Sequence, residues 1–224
     1  MQGMMKRLSK GLGLNMRSSG KRFFVVGAFL ALALLAVAAQ SATTEAQKLY
    51  AQGRYEESRQ LVLQAINADA NDIDAYVLLC QDFLALGRWA DAQNYALKAY
   101  ALRRDPRLSE VLGESAFNQG ANDVALRWFQ DYVTNVPEGS SVGAAYSFMG
   151  EIFLRQARYA HADIAFATAL QFSPGNARWW ARLGWAREKA NDRSGALSAY
   201  TAALRLEPRL EDAILGKERV QSAD

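Results

Sequence analysis

The sequence predicts an all-α fold: a solenoid of antiparallel helix pairs, about five repeats long and closed by a C-terminal capping helix. Three observations carry that prediction. The first is an internal repeat: Tyr146, Met149, Gly150, Phe153, Ala162, Phe166 and Pro174 recur as Trp180, Leu183, Gly184, Arg187, Ala196, Tyr200 and Pro208, each 34 residues later. Apart from Arg187 the chemistry is kept, and a fixed period of this length marks units that bury their cores by stacking. The second is periodicity. Tyr146, Phe153 and Phe166 recur at roughly helical spacing on their own segments, which makes apolar stripes that a lone hairpin leaves uncovered. The third is punctuation: the chain has four prolines in 224 residues. Pro174 and Pro208 fall where a second helix should end, since proline has no N–H and restricts the residue before it.

The chain opens with Lys6, Arg7, Lys10, Arg17, Lys21 and Arg22, six positive charges before residue 23 with no acid among them. Phe23 to Ala39 follows, 17 residues made only of Phe, Val, Gly, Ala and Leu. This is a membrane-targeting segment. As a helix it would be about 26 Å long, slightly short of the ~30 Å hydrocarbon core of a bilayer. Ala36-Val37-Ala38 and Ala39-Gln40-Ser41 resemble signal cleavage sites, and Met16 offers an alternative start of ordinary signal-peptide length. Two fates are therefore open for residues 1–41, a cleaved signal peptide or a signal anchor that holds the protein in the inner membrane through Phe23–Ala39. In both, the basic end stays cytoplasmic and everything after residue 40 is exported, to the periplasm in a bacterium.

The whole chain carries a formal charge of +3. Without the six leading charges, 20 basic residues stand against 23 acidic ones, a net of −3. The folded part is mildly acidic, which argues against a nucleic-acid partner. Cys80 is the only cysteine, so an internal disulfide is excluded, and it holds the small-residue position that Gly150 and Gly184 hold elsewhere.

The repeats then run in order over residues 42–71, 73–105, 106–138, 143–175 and 177–208, with 209–224 as capping helix and tail. The first is worn at its start but keeps Ala46, Leu49, Tyr55, Ser58, Val62 and Ala65, with Gly53-Arg54-Tyr55 as its turn. The second reads Tyr76, Leu79, Cys80, Phe83, Gly87, Trp89, Ala92, Ala96 and Ala99, with Pro106 as a late closing proline. The third reads Ser109, Leu112, Gly113, Ala116, Gly120, Ala125, Phe129, Tyr132 and Pro137; Ser109 and Ala116 are undersized, so it is expected to pack most loosely. Between Gly113 and Gly150 the spacing stretches to 37, and the excess falls on the flexible insertion Glu138 to Gly143. Gly150 with Ala162, and Gly184 with Ala196, are expected to let paired helices approach closely. Asn176 is a candidate N-cap. Leu210 to about Val220 is one more amphipathic helix, bearing Lys217, Glu218 and Arg219 and suited to cap the array.

The succession of large residue, Leu or Met, Gly, aromatic, then Ala, aromatic and Pro resembles the tetratricopeptide repeat, which implies a right-handed superhelical solenoid. The resemblance also implies that the first helix of each pair lines a concave groove where partner proteins bind as peptides or helices. Carried onto this sequence, the partner-binding positions are Tyr50, Gln81, Leu84, Glu110, Glu114, Phe117, Glu151, Leu154, Arg178 and Trp185, with Gln47, Val77, Arg107, Ser147, Arg155, Ala181, Glu188 and Lys189 on the same face. Carboxylates in the middle and apolar anchors beside them favour a partner with basic and aromatic or aliphatic residues. Trp185 stands five residues beyond the core residue Trp180, at a position the core does not require, and Trp179 beside it is expected to face solvent. Cochaperones that clamp an acidic tail carry Lys and Asn where this chain has Thr43, Gln47, Leu78 and Val111; only Arg107 fits, which disfavours that subfamily.

No catalytic constellation, cofactor motif or metal-ligand spacing is present. His161, the single histidine, is expected to be solvated. Gly13 to Lys21 has six residues between glycines where a phosphate loop needs four. The expected function is a non-catalytic scaffold or adaptor of the cell envelope that binds a partner protein in the groove. A periplasmic chaperone-like or ligand-binding module with transient clients is the alternative.

Overall fold

A computed structural model of the protein describes residues 41–222. The targeting segment therefore lies outside the described residues. Among the described ones, no helix is long and apolar enough to cross a membrane. They form eleven helices and no strand: α1 (41–51), α2 (Tyr55–Ala68), α3 (Ile73–Ala85), α4 (Trp89–Leu102), α5 (Pro106–Asn118), α6 (Asn122–Asn135), α7 (Val142–Arg155), α8 (Tyr159–Phe172), α9 (Ala177–Lys189), α10 (Arg193–Leu206) and α11 (Glu211–Ser222). From α2 onward each packs on the next, and the first helices also meet one another along one face, α3 with α5, α5 with α7 and α9 with α11. The result is an all-α helical repeat solenoid.

Local chemistry sets the boundaries. Asp72, Asp105, Asn176 and Asp192 cap α3, α5, α9 and α10, each accepting a backbone N–H of the first turn. Asn176 thus does what its position predicts. Pro106 does not close the second repeat: it stands in the first turn of α5, where a missing N–H costs nothing. Val142 and Gly143, read as loop, are buried residues of α7, so the extra length between the third and fourth pairs is confined to the turn before it. The turn inside each pair needs a left-handed residue. Gly53, Gly87 and Gly120 supply it with φ of 76°, 70° and 77°, whereas Ala157 (55°) and Asn191 (63°) do so in the last two pairs.

The close crossing inside the last three pairs differs from the glycine-to-alanine contact that the repeat pattern suggests. Ala162 and Ala196 are fully buried, but the glycines face aromatic rings. A Cβ on Gly113, Gly150 or Gly184 would lie 2.7 Å from Phe129, 2.8 Å from Phe166 and 2.8 Å from Tyr200 respectively. Each ring comes from the residue sixteen positions on and is buried. The physical reason is volume: a ring filling the crossing leaves no room for a methyl group opposite. Ser109, undersized for an apolar core, is buried with its hydroxyl donating to Asp131 at 2.5 Å. Phe148 of α7 reaches into the third pair and stacks on Phe129, ring centroids 5.2 Å apart.

A candidate docking groove on the first helices

The face shared by α1, α3, α5, α7 and α9 carries three open clefts. The N-terminal one, about 250 Å³, is lined by Tyr50 of α1, Gln81, Leu84 and Ala85 of α3, and Glu110, Val111 and Glu114 of α5. Helical spacing brings these together, since Gln81 with Leu84 and Ala85, and Glu110 with Glu114, lie one turn apart on their helices. Burial pushes the Glu110 carboxyl above its usual range, with the Ser141 hydroxyl pulling the other way. Glu114 is raised by burial first and by the Glu110 charge second. Neither carboxylate is paired with a cation among the described residues. The Tyr50 phenol is raised too, by burial and then by Tyr55, Asp82, Glu114 and Glu110.

The central cleft is the largest, about 560 Å³. Phe117, Ser147, Phe148, Glu151, Arg178, Trp179, Arg182 and the start of α11 surround it. Phe117 is held in place: the Arg155 guanidinium lies 3.9 Å over its ring and Phe148 meets it edge-on at 5.0 Å. Glu151 bridges to α9, accepting two hydrogen bonds from Arg182, that from Nε at 2.6 Å. Its charge is therefore satisfied inside the protein, and it does not extend the acidity of Glu110 and Glu114. Arg178 is exposed at the rim.

At the C-terminal end a cleft of about 180 Å³ lies between α9 and α11, lined by Ala181, Arg182, Trp185, Tyr200, Asp212, Leu215 and Arg219. Trp185 lines this cleft half buried and flanked by cations, like Phe117 in the central one. Lys189 (4.3 Å) and Arg219 of α11 (5.0 Å) sit over its ring. Arg219 also donates to both oxygens of Glu188 at 3.0 Å, and the Tyr200 hydroxyl donates to Glu188 at 2.7 Å. The capping helix lies on the same first-helix face because it stacks as a further first helix, with Gly216 against the Tyr200 ring. Gly216 follows Gly184 by 32 residues, a near-period that could have announced this.

The remaining expected positions divide. Leu154 lines none of the three clefts and packs with Phe166 and Leu183 in the core. Val77 and Ala181 are buried at 5% and 3% exposure, because adjacent first helices close over these positions. Arg107 is engaged by Asp105 and by Asp74 at 2.7 Å. Trp179, expected in solvent, is half buried between the core and the central cleft. Gln47 and His161 are exposed. Phe148 and the α11 residues Glu211 and Asp212 were not singled out by the repeat register. Neither was Asp82, which is fully buried on α3 and accepts from the Ser58 hydroxyl at 2.9 Å, with its other oxygen lacking a partner.

Residues 77–140 match the family described as Tetratricopeptide repeat. That segment is tetratricopeptide-like in sequence. No curated protein matches it in sequence. Similar solved structures include PilF of Pseudomonas aeruginosa, 16% identical, with 83% of this chain and 84% of that one covered and a TM-score of 0.74. A MamA fragment from Desulfovibrio magneticus RS-1 is 18% identical over 78% and 97% of the two chains, with a TM-score of 0.67. YrrB, described as a tetratricopeptide-repeat protein with an unusual peptide-binding site, is 18% identical over 79% and 90%, with a TM-score of 0.64. At these identities the likeness is one of fold. Tetratricopeptide-repeat proteins bind other proteins or peptides.

Proposed function

We propose that the protein is a non-catalytic scaffold of the cell envelope that holds a segment of a partner protein along its first-helix face, as part of a membrane-associated assembly. The observation that carries this reading is the central cleft, where Phe117, Phe148 and Trp179 present half-buried aromatic surface beside the exposed Arg178. Aromatic side chains in partly desolvated pockets are the commonest anchors of protein interfaces. The peptide-binding site described for YrrB supports the use of such a fold in this way. The envelope location rests on the basic lead and on Phe23 to Ala39, which together have the make-up of an export or anchoring signal.

Photocrosslinking in intact cells tests this, with the probe placed at Phe117, at Arg178 and, as a control on the second helices, at Ile164, which is 66% exposed. One discrete adduct at the first two sites and none at Ile164 is expected. A smear at all three sites, or an adduct at Ile164 alone, would remove the groove from the account. Phe117→Ala should weaken the captured complex by about 2 kcal/mol, some thirtyfold in affinity.

A further inference from the structure

We infer that the N-terminal cleft selects the partner: it receives a Lys or Arg side chain between Glu110 and Glu114, from a segment whose neighbouring apolar residue occupies the central cleft. This rests on the reading of the first-helix face as a docking surface and adds the chemistry of its occupant. Along the repeat helices of that face the other acids are matched, and Glu211 and Asp212 of α11 are exposed to water. Asp74 and Asp105 are met by Arg107, Glu151 by Arg182 and Glu188 by Arg219. Glu110 and Glu114 are half buried and are met by no cation among the described residues. They stand one turn apart on α5, a spacing at which like charges repel, and both have lost part of their hydration. A partner cation relieves both costs at once.

The walls fit that occupant. Leu84, Ala85 and Val111 offer aliphatic surface for the methylene stem of a long basic side chain, and the Tyr50 ring and Gln81 flank the carboxylates. Phe117 follows Glu114 by one helical turn and opens into the central cleft. A segment lying along α5 can therefore place a basic residue and an aromatic or aliphatic one in adjacent clefts. No group of His, Cys, Asp and Glu among the described residues is arranged to hold a metal ion, which leaves an organic cation as the complement.

The test uses the full chain and a displayed library of random twelve-residue peptides, selected in parallel on the unaltered protein, on Glu110→Gln/Glu114→Gln and on Phe117→Ala. The unaltered protein should enrich peptides with Lys or Arg near an aromatic or aliphatic residue. On the double variant the basic preference should vanish while the apolar one persists, and a selected peptide should bind about tenfold or more weakly. Changing the peptide's own Lys or Arg to Gln should cause the same loss in the unaltered protein and no further loss in the double variant. Removing two like charges spares the fold, and a melting temperature for the double variant no lower than that of the unaltered protein checks this. Peptides that need Phe117 but show no basic preference, or that bind the double variant equally well, overturn the cation site and leave the groove standing. Failure to enrich any peptide, or enrichment indifferent to all three substitutions, overturns the groove and the cation site together.

Discussion

The first two helix pairs and the three that follow close the same crossing with different partners. In the N-terminal region the positions are held by Ala46 with Val62 and Cys80 with Ala96; in the C-terminal region they are held by Gly113 with Phe129, Gly150 with Phe166 and Gly184 with Tyr200. All these side chains are essentially fully buried. The crossing thus tolerates two medium or small residues, or a glycine opposite a ring, and what it constrains is their combined volume. The electrostatics divide too, but one helix further along, between α5 and α7. Toward the C-terminus, the groove acids Glu151 and Glu188 are answered by arginines of neighbouring helices. Toward the N-terminus, Glu110, Glu114 and the buried Asp82 carry raised carboxyl pKa values. The acids of α7 and α9 are neutralised within the protein, and those of α5 are not.

Breaking the volume rule should have the largest effect. Gly150→Ala drives a methyl group into the Phe166 ring and should destabilise the protein by about 3 kcal/mol in chemical denaturation. Cys80→Ala, in the region without a ring at the crossing, should cost less. The pair Gly150→Ala with Phe166→Leu should be more stable than the sum of its single changes, and strict additivity would show that the two sites are independent.

The acidity of the N-terminal region gives the next effect. Burial pushes Asp82 from 3.8 to about 7, outweighing the Ser58 hydrogen bond and the Arg59 charge, which act to lower it. Folded protein therefore keeps this carboxyl protonated over a range in which the unfolded chain ionises it, so stability falls as pH rises from about 4 to 7 and levels off above. The loss should be about 3 kcal/mol, read from urea melts between pH 4.5 and 8.5. Asp82→Asn should flatten that slope and raise stability at pH 8. A slope unchanged by the substitution would place the sensitivity elsewhere, with Glu110 and Glu114 the next groups to neutralise.

The smallest effect sharpens the comparison at the turns. Ala157 adopts a φ of 55° where Gly53, Gly87 and Gly120 stand in the first three pairs. Ala157→Gly should stabilise by about 1 kcal/mol, a rise of a few degrees in Tm, because the left-handed region costs an alanine about that much. Asn191→Gly should gain less, since asparagine is more at ease there.

Fold class, repeat period, helix pairing and the cap at Asn176 could be read from spacing alone, because each follows from local periodicity or from the chemistry of one residue. So could the membership of Glu110, Glu114, Tyr50, Gln81 and Leu84 on one face, since positions a turn apart on a helix must share a side. Several features could not be read this way. Which glycine meets which ring depends on the angle between two helices. Whether an acid stays unpaired depends on residues some thirty positions away, as Arg182 is from Glu151 and Arg219 from Glu188. The burial of Val77 and Ala181 depends on how closely adjacent first helices approach, and that of Asp82 on how α3 packs against α2. Periodicity determined the side of the helix on which each of these residues lies; only the packing of one repeat on the next decided how much water remained there, and hence which charges are left for a partner.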